Sequence, residues 1–290
     1  MSPPPTASPA SVAARRREFH RLHEAGCFLI PNPWDVGSAR WLQGLGFKAL
    51  ATTSSGFAWS RARPDNGITR EMALAHLTEL VAATDVPVNA DFENGFADSA
   101  AGVEESVRLA VGTGVAGLSI EDTTGDAARP LFSIDEAVER MRAARRAIDK
   151  AGGETLLVGR AEGFIAGRPD LDDVIARLKA YSNAGADCLY APGIRTREQI
   201  TAVVQAVAPK PVNLLIGGTS EWTLETAAAL GVRRISVGGA LARSAWAGFM
   251  RAAELLAREG RFDGFADAAS GKALNDFFAA AEAAKKVPRS

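Results

Sequence analysis

The segment PVNADFENG, residues 87–95, runs from an apolar stretch into two acidic residues, Asp91 and Glu93. The same change occurs in GLSIED, residues 117–122, and in LLVGRAEG, residues 156–163. Each apolar stretch is typical of a buried parallel strand, and in each the carboxylates stand where the strand should end. A carboxylate is costly to bury in an apolar barrel unless it is paired or binds a metal. Three successive strand ends of this kind predict one shared acidic pocket.

Apolar runs recur eight times along the 290 residues, separated by stretches with helical spacing such as DDVIARLKAYSNAG from Asp172 to Gly185. Apolar strands that alternate with helices predict a parallel sheet covered on both faces. Eight such units predict an α/β fold, a closed (β/α)8 TIM barrel. A doubly wound open sheet is the alternative, but no GxGxxG motif follows the first strand. The runs are CFLIPN from Cys27, ALATTSS from Ala49, VPVNADF from Val86, GLSIED from Gly117, TLLVGRAE from Thr155, CLYAPG from Cys188, PVNLLIG from Pro211 and RISVGG from Arg234.

The two ends of the chain do not follow this repeat. The opening MSPPPTASPASV is rich in Pro and Ser and lacks an apolar signal core, which predicts a disordered tail over residues 1–12 and a cytoplasmic location. We expect the barrel over residues 13–262 and a C-terminal helical extension over residues 263–290. An apolar helix beyond a closed barrel is suited to pack against a second subunit, so we expect an oligomer. Capping of its own barrel is the alternative role.

Charge and residue placement exclude several classes of function. The net charge of −1, from 33 basic and 34 acidic residues, argues against a nucleic-acid partner and against a membrane-surface protein. No apolar run is long enough for a transmembrane helix. The three histidines fall in helical stretches and no lysine stands at the C-terminal end of a strand. A Ser–His–Asp hydrolase and Schiff-base chemistry are therefore disfavoured.

The remaining strand-end groups suit a hard cation and a small acid. In this fold the active site lies at the C-terminal ends of the strands. Asp91, with Glu93 and Glu121 behind it, suits Mg²⁺ or Mn²⁺. Such a metal would bind a 2-oxo acid and stabilise an enolate, while Arg160 clamps the substrate carboxylate. A salt bridge from Arg160 to Glu121 or Glu162 is the alternative role for this arginine.

Other strand ends supply candidate substrate contacts. Backbone N–H groups around Ser55 and Gly56 are suited to bind the same anion. Tyr190 and Asn213 stand at the ends of the sixth and seventh strands. Tyr190, Thr123 or a metal-bound water is the candidate for the remaining proton transfer.

Together these segments resemble the isocitrate lyase/phosphoenolpyruvate mutase superfamily, in its branch of 2-methylisocitrate lyase-like and carboxyphosphonoenolpyruvate phosphonomutase-like proteins. The resemblance implies a (β/α)8 barrel whose eighth helix is swapped between subunits, in homodimers that pair into homotetramers. It also implies Mg²⁺ and an enolate formed next to a 2-oxo acid when a C–C or P–C bond is made or broken. The matching segments span residues 25–262 and are NPWDVGSAR, TTSSGFAWSRARPDNG, VPVNADFENGF, GLSIED, VGRAEGF, AGADCLYAPGI and PVNLLIGG.

The resemblance also assigns roles to single positions. Glu93 replaces the second aspartate of the family's DxD motif, so the charge is kept on a longer side chain. The positions that match are Asp91 for the metal, Glu121 for a carboxylate behind it, Arg160 for the substrate, Trp34 and the Ser55–Gly56 turn for the 2-oxo acid, and, less closely, Asp65 for an aspartate that closes over the metal.

The loop after the fourth strand departs from the family pattern. DTTGDAARPLFS, residues 122–133, lacks the lysine, cysteine and histidine of the lyases and the lysine and asparagine of the phosphonate mutases. After the sixth strand, Ala191–Pro192–Gly193 stands where the lyases carry a glutamate. We therefore expect a C–C lyase with Arg160, Glu121 and Tyr190 as its catalytic residues. Its substrate would be a small 2-oxo or 2-hydroxy di- or tricarboxylate, cleaved next to the keto or hydroxyl carbon to a pyruvate-type product.

Two alternatives to this lyase stay open. One is a P–C bond mutase or hydrolase that acts on phosphonopyruvate-like substrates. The other is a barrel that binds 2-oxo acids without turnover.

Overall fold

Eight parallel strands in a nearly closed barrel form the fold, as the eightfold repeat predicts. The computed structural model describes residues 8–286. The strands pair in the order β1-β8-β7-β6-β5-β4-β3-β2, and the Ala51 N–H donates to the Pro31 carbonyl at 3.1 Å, which links β2 back to the end of β1. The strands are β1 Phe28–Ile30, β2 Leu50–Ala51, β3 Val88–Asp91, β4 Gly117–Glu121, β5 Leu156–Arg160, β6 Cys188–Tyr190, β7 Val212–Leu215 and β8 Arg234–Ser236.

Helices alternate with the strands, and most begin after a Ser, Thr or Asp whose side chain accepts a hydrogen bond from the first turn. The first helix begins inside the predicted 1–12 tail, of which residues 1–7 lie outside the described part of the chain. The helices are α1 Pro9–Glu24, α2 Val36–Gly44, α3 Ser54–Ser60, α4 Arg70–Ala83, α5 Ala100–Gly112, α6 Ile134–Lys150, α7 Leu171–Asn183, α8 Arg197–Val207, α9 Leu224–Ala228, α10 Ala240–Glu259 and α11 Gly271–Lys286.

The described part of the chain divides into two compact units, one that ends at Gly239 and one that begins at Ala240. The first contains all eight strands and α1 to α9. The second contains α10, a 3-10 turn at Asp263–Phe265 and α11. The division falls before α10. This helix was expected to belong to the barrel over residues 13–262, but it is part of the second unit, together with the C-terminal segment. Among the described residues, no helix has both the length and the apolar content that a membrane span requires.

Helix α1 closes the end of the barrel at which the strands begin. Its Phe19 is fully buried, and a Cβ at Gly117, the first residue of β4, would lie 2.6 Å from the Phe19 ring. His20 on the same helix contacts the carbonyl of Glu154, just before β5, at 2.9 Å. The opposite end, where the strands stop, is left for a site.

The interior of the barrel is unusually polar. The inner layers of a TIM barrel are commonly filled by bulky branched apolar side chains. Here the buried inward positions of β3, β4, β7 and β8 include Asn89, Ser119, Asn213, Arg234 and Ser236. This polar interior continues from the strand ends toward α1.

His76 on α4 makes the stability of the barrel sensitive to acid. Its ring is buried and stacks on Phe57 at a centroid distance of 3.9 Å. Burial lowers the pKa of His76 to about 4. The unfolded chain takes up a proton near pH 6.5, so stability is lost as the pH falls from about 6.5 toward 4. At pH 5 this one group costs about 2 kcal/mol of unfolding free energy.

We expect His76→Phe, which keeps an aromatic ring in the stack, to reduce the loss of unfolding free energy as the pH falls from about 6.5 toward 4. Urea unfolding of the wild-type and variant proteins between pH 7.5 and 5 measures the effect. Parallel pH profiles for the two proteins would show that His76 is not responsible.

Candidate active site

A cavity of about 220 Å³ opens where the strands end. Four of the predicted site residues line it: Ser55, Asp91, Arg160 and Tyr190. Asp65, the weakest match to the family pattern, lines it as well. The wall is completed by Asn32, Ala51, Thr52, Thr53, Ser54, Asn89, Ser119, Ile165, Pro192, Leu215, Arg234, Ser236, Gly238 and Gly239.

Arg160 lies at the centre of the acidic cluster. Its Nη1 is 3.0 Å from Asp91 Oδ1 and 3.2 Å from Glu121 Oε2, and its Nε donates to Glu162. The parallel register explains these contacts, because Arg160 on β5 pairs with Glu121 on β4 and with Tyr190 on β6. The guanidinium carbon is 5.1 Å from the centre of the Tyr190 ring. Arg160 therefore forms the salt bridges to Glu121 and Glu162 that are its alternative role.

Asp91 is fixed from a second side by helix α3. Its Oδ2 accepts hydrogen bonds from the Ser54 N–H at 2.9 Å and from Ser54 Oγ at 3.0 Å. Its own N–H donates to Thr52 Oγ1 at 2.8 Å. The carboxylate thus has a defined orientation at the cavity wall. The role of Ser54 was not foreseen, since nothing in the TTSS segment distinguishes it from its neighbours.

The carboxyl groups around Arg160 outnumber the single positive charge of its guanidinium. Burial, together with the charges of Asp91 and Glu121, raises the pKa of Glu93 to about 8. Burial also raises the pKa of Glu121 and of Glu162, although Arg160 opposes this. An added cation would relieve this crowding of negative charge.

The donor set suits a hard cation held by few protein ligands. All the candidate ligands are carboxylate oxygens, and Glu93 Oε1 is buried with no hydrogen-bond partner among the described residues. Within residues 8–286 no group of three acidic, histidine or cysteine side chains has the arrangement of a complete metal cage. Mg²⁺ commonly takes only one or two carboxylates and keeps several waters, so the residues fit this ion.

The other five predicted site residues lie outside the cavity wall: Glu93 and Glu121 of the acidic cluster, and Asn213, Gly56 and Trp34. Asn213 is fully buried in the barrel, where Oδ1 accepts from Arg234 Nε at 2.8 Å and Nδ2 donates to Ser236 Oγ at 3.0 Å. The Gly56 N–H donates to Thr53 Oγ1 at 3.3 Å, so it is already engaged. Trp34 precedes α2 and is half-buried away from the lining. Among the predicted substrate contacts Trp34, Ser55, Gly56 and Asn213, Ser55 alone lines the cavity.

A buried clasp behind the site was missed from sequence. Asp122, which opens the 122–133 loop, accepts from Tyr181 Oη at 2.6 Å, from Arg177 Nη1 at 3.0 Å and from the Glu162 N–H at 2.8 Å. Arg177 and Tyr181 lie four residues apart on α7 and so share one face of that helix. The clasp ties the end of β5 to α7 and holds Glu162 against Arg160.

Comparison with known proteins agrees with this geometry. Residues 19–257 match the family model described as phosphoenolpyruvate phosphomutase. An oxaloacetate decarboxylase of Paraburkholderia xenovorans LB400 is 33% identical over 233 residues, which cover 76% of this chain and 74% of that protein.

Solved structures give the same relationship. A Burkholderia cenocepacia J2315 protein, provisionally assigned as a lyase or mutase, is 48% identical with a TM-score of 0.89 over 93% of this chain and 97% of its own. Oxaloacetate acetylhydrolase in complex with its product oxalate is 27% identical with a TM-score of 0.82, over 96% of this chain and 98% of its own. The chain therefore belongs to the phosphoenolpyruvate phosphomutase family, and with it to the isocitrate lyase/PEP mutase superfamily of lyases and mutases that its motifs predicted.

Proposed function

We propose that this protein is a Mg²⁺-dependent C–C lyase that acts on a small 2-oxo or 2-hydroxy di- or tricarboxylate. The observation that carries the proposal is the cluster of Asp91, Glu121 and Glu162 around Arg160, of which Asp91 and Arg160 line a small cavity. The names of two relatives, oxaloacetate decarboxylase and oxaloacetate acetylhydrolase, support a four-carbon 2-oxo dicarboxylate as the first substrate to try.

Asp91 would hold Mg²⁺, or Mn²⁺ in its place, with Glu93 and Glu121 in support. When bound, the ion supplies positive charge for binding the 2-oxo acid and for stabilising the enolate that develops as the bond breaks. Asp91 is suited to this role because Ser54 and Arg160 already fix both of its oxygens. Asp91 Oδ1 accepts one described hydrogen bond, from Arg160 Nη1 at 3.0 Å, and so keeps a lone pair for a cation.

Arg160 and Tyr190 would act on the substrate itself. The three surrounding carboxylates hold the Arg160 guanidinium at the wall, where it can stabilise negative charge on the substrate. Glu121 contributes by fixing Arg160. Burial raises the pKa of Tyr190 to about 12, so its hydroxyl stays protonated at neutral pH. Tyr190 is thus suited to deliver a proton rather than to remove one. Ser55 would contact the substrate from α3.

P–C bond chemistry is the second candidate function. It is favoured by the family match, whose description names a phosphomutase. The same cavity and cation site would hold a phosphonopyruvate-like acid, so the substrate must be decided by assay.

We expect release of a 2-oxo acid or oxalate from at least one C–C substrate when Mg²⁺ is present. Proton NMR would follow oxaloacetate, 2-methylisocitrate, 2,3-dimethylmalate and phosphonopyruvate in parallel, each with Mg²⁺ and with EDTA. Turnover of phosphonopyruvate alone would establish P–C chemistry instead. Turnover of none, with thermal stabilisation by 2-oxo acids, would identify a binder without catalysis.

We expect Asp91→Asn to weaken Mg²⁺ binding by about 100-fold or more, because the change removes the charge while nearly keeping the shape. Calorimetric titration of the metal-free protein with Mg²⁺ measures this without reference to activity. Asp98→Asn, which changes an exposed carboxylate nearby, is the control. Equal affinity of Asp91→Asn and the wild type would refute the metal assignment.

A cytoplasmic location stays a prediction. The proposed assembly is a homodimer or a homotetramer. Helix α10 has Ala242 as its only buried residue, while Phe249 and Met250 are 62% and 52% exposed. Apolar side chains exposed to this extent commonly mark a subunit interface. Light scattering should give a mass of two or four 30.4 kDa chains. Phe249→Glu should lower that mass, whereas a 30.4 kDa wild-type species would contradict the assembly.

A further inference from the structure

The cavity contains a second guanidinium, and its setting differs from that of Arg160. Arg234 begins β8, is 2% exposed and lines the same cavity. Its recorded partners are all neutral: Nε donates to Asn213 Oδ1 at 2.8 Å, and Nη1 lies 3.3 Å from Asn89 Oδ1 and 3.4 Å from His23 Nε2. Burial lowers the pKa of His23 to about 3, so that ring is neutral as well.

A buried guanidinium without a counter-charge is costly. Its desolvation is normally offset by a carboxylate or a bound anion. Among the described residues, no carboxylate forms a salt bridge with Arg234, and none of its hydrogen bonds involves Nη2. The amide oxygens of Asn89 and Asn213 orient the guanidinium but leave its charge uncompensated. The Arg234 guanidinium is therefore suited to bind an anion that enters the cavity.

We propose that Arg234 forms a carboxylate-binding subsite at the inner end of the cavity, distinct from the acidic cluster around Arg160. The inner subsite is formed by Arg234, whose guanidinium Asn89 and Asn213 orient; Ser119 and Ser236 line the same cavity. The proposal rests on the proposed function, because it assigns the second carboxylate of the substrate. The ligand is then a dianion, with its 2-oxo end at Asp91 and Arg160 and its remote carboxylate at Arg234.

The charge distribution of the cavity favours this orientation. Arg160 is shared by three carboxylates, whereas Arg234 has none. An anionic group without a metal to bridge it is repelled by the outer end and attracted by the inner one. A charge-assisted hydrogen bond to a buried arginine contributes about 1.5–3 kcal/mol, or about 10- to 150-fold in affinity. The subsite would thus discriminate against acids with one carboxylate.

A matched pair of ligands tests the proposal. Malate and 2-hydroxybutanoate differ only in that a methyl group replaces the remote carboxylate. With Mg²⁺ present, we expect calorimetry to show malate binding at least about 10-fold more tightly to the wild-type protein. Arg234→Gln should remove this preference and leave 2-hydroxybutanoate binding unchanged within a factor of about three, while Arg234→Lys should retain part of it.

The control is Arg16→Gln, which removes another buried arginine that bonds only to neutral acceptors, the carbonyls of Val111 and Val115. It should leave the preference intact. Equal binding of both acids by the wild type would overturn the inner subsite and leave the proposed function standing. Binding of neither acid would overturn the proposed function itself.

Equal weakening of both acids by Arg234→Gln, with a lower melting temperature, would show that Arg234 is structural. If Arg234→Gln does not fold, the wild-type ligand pair and Arg234→Lys decide the question.

Discussion

The site depends on one guanidinium placed among three buried carboxylates. Arg160 reaches Asp91, Glu121 and Glu162, which belong to three successive strands or to the turn that follows one of them. Each of these acids would be strongly disfavoured alone in the barrel, and so would the arginine. Held together they form a cluster with excess negative charge, and that excess makes the cluster suited to a divalent cation at Asp91.

The surrounding fold maintains this arrangement. The register of β4 and β5 places Glu121 beside Arg160, and Asp91 on β3 pairs with Ser119, two residues before Glu121. Helix α3 fixes Asp91 through Ser54. The Asp122 clasp secures the backbone of Glu162 from outside the barrel. Helix α1 seals the other end, so the polar interior is open only where the strands stop.

Much of this could be predicted from the sequence, because the signals are local. An apolar run that ends in a carboxylate identifies both the strand and the end of the barrel that it faces. The eight strands and the grouping of Asp91, Glu121 and Arg160 follow from that rule. The Asp122 clasp could not be predicted, since Arg177 and Tyr181 stand in an ordinary amphipathic helix whose orientation only packing decides.

Asn213 illustrates a second limit. A polar residue at the end of an apolar run was expected to face the substrate, yet it lies one layer deeper and orients Arg234. Sequence position gives the strand and the face but not the depth, which depends on the register with neighbouring strands. Arg234 itself escaped notice because an arginine at the start of an apolar run resembles the exposed end of a loop.

These two limits share a cause, since both concern a polar layer inside the barrel. A cavity with an acidic outer end and a cationic inner end favours one orientation of a charged ligand. A cation bound at Asp91 and an anion bound at Arg234 would each offset a charge that the fold has buried at a cost. The ligand that satisfies both ends must carry an oxygen-rich group for the cation and a separate negative charge for the arginine. A dicarboxylic 2-oxo acid meets that requirement, whereas a monocarboxylic acid leaves the inner guanidinium uncompensated.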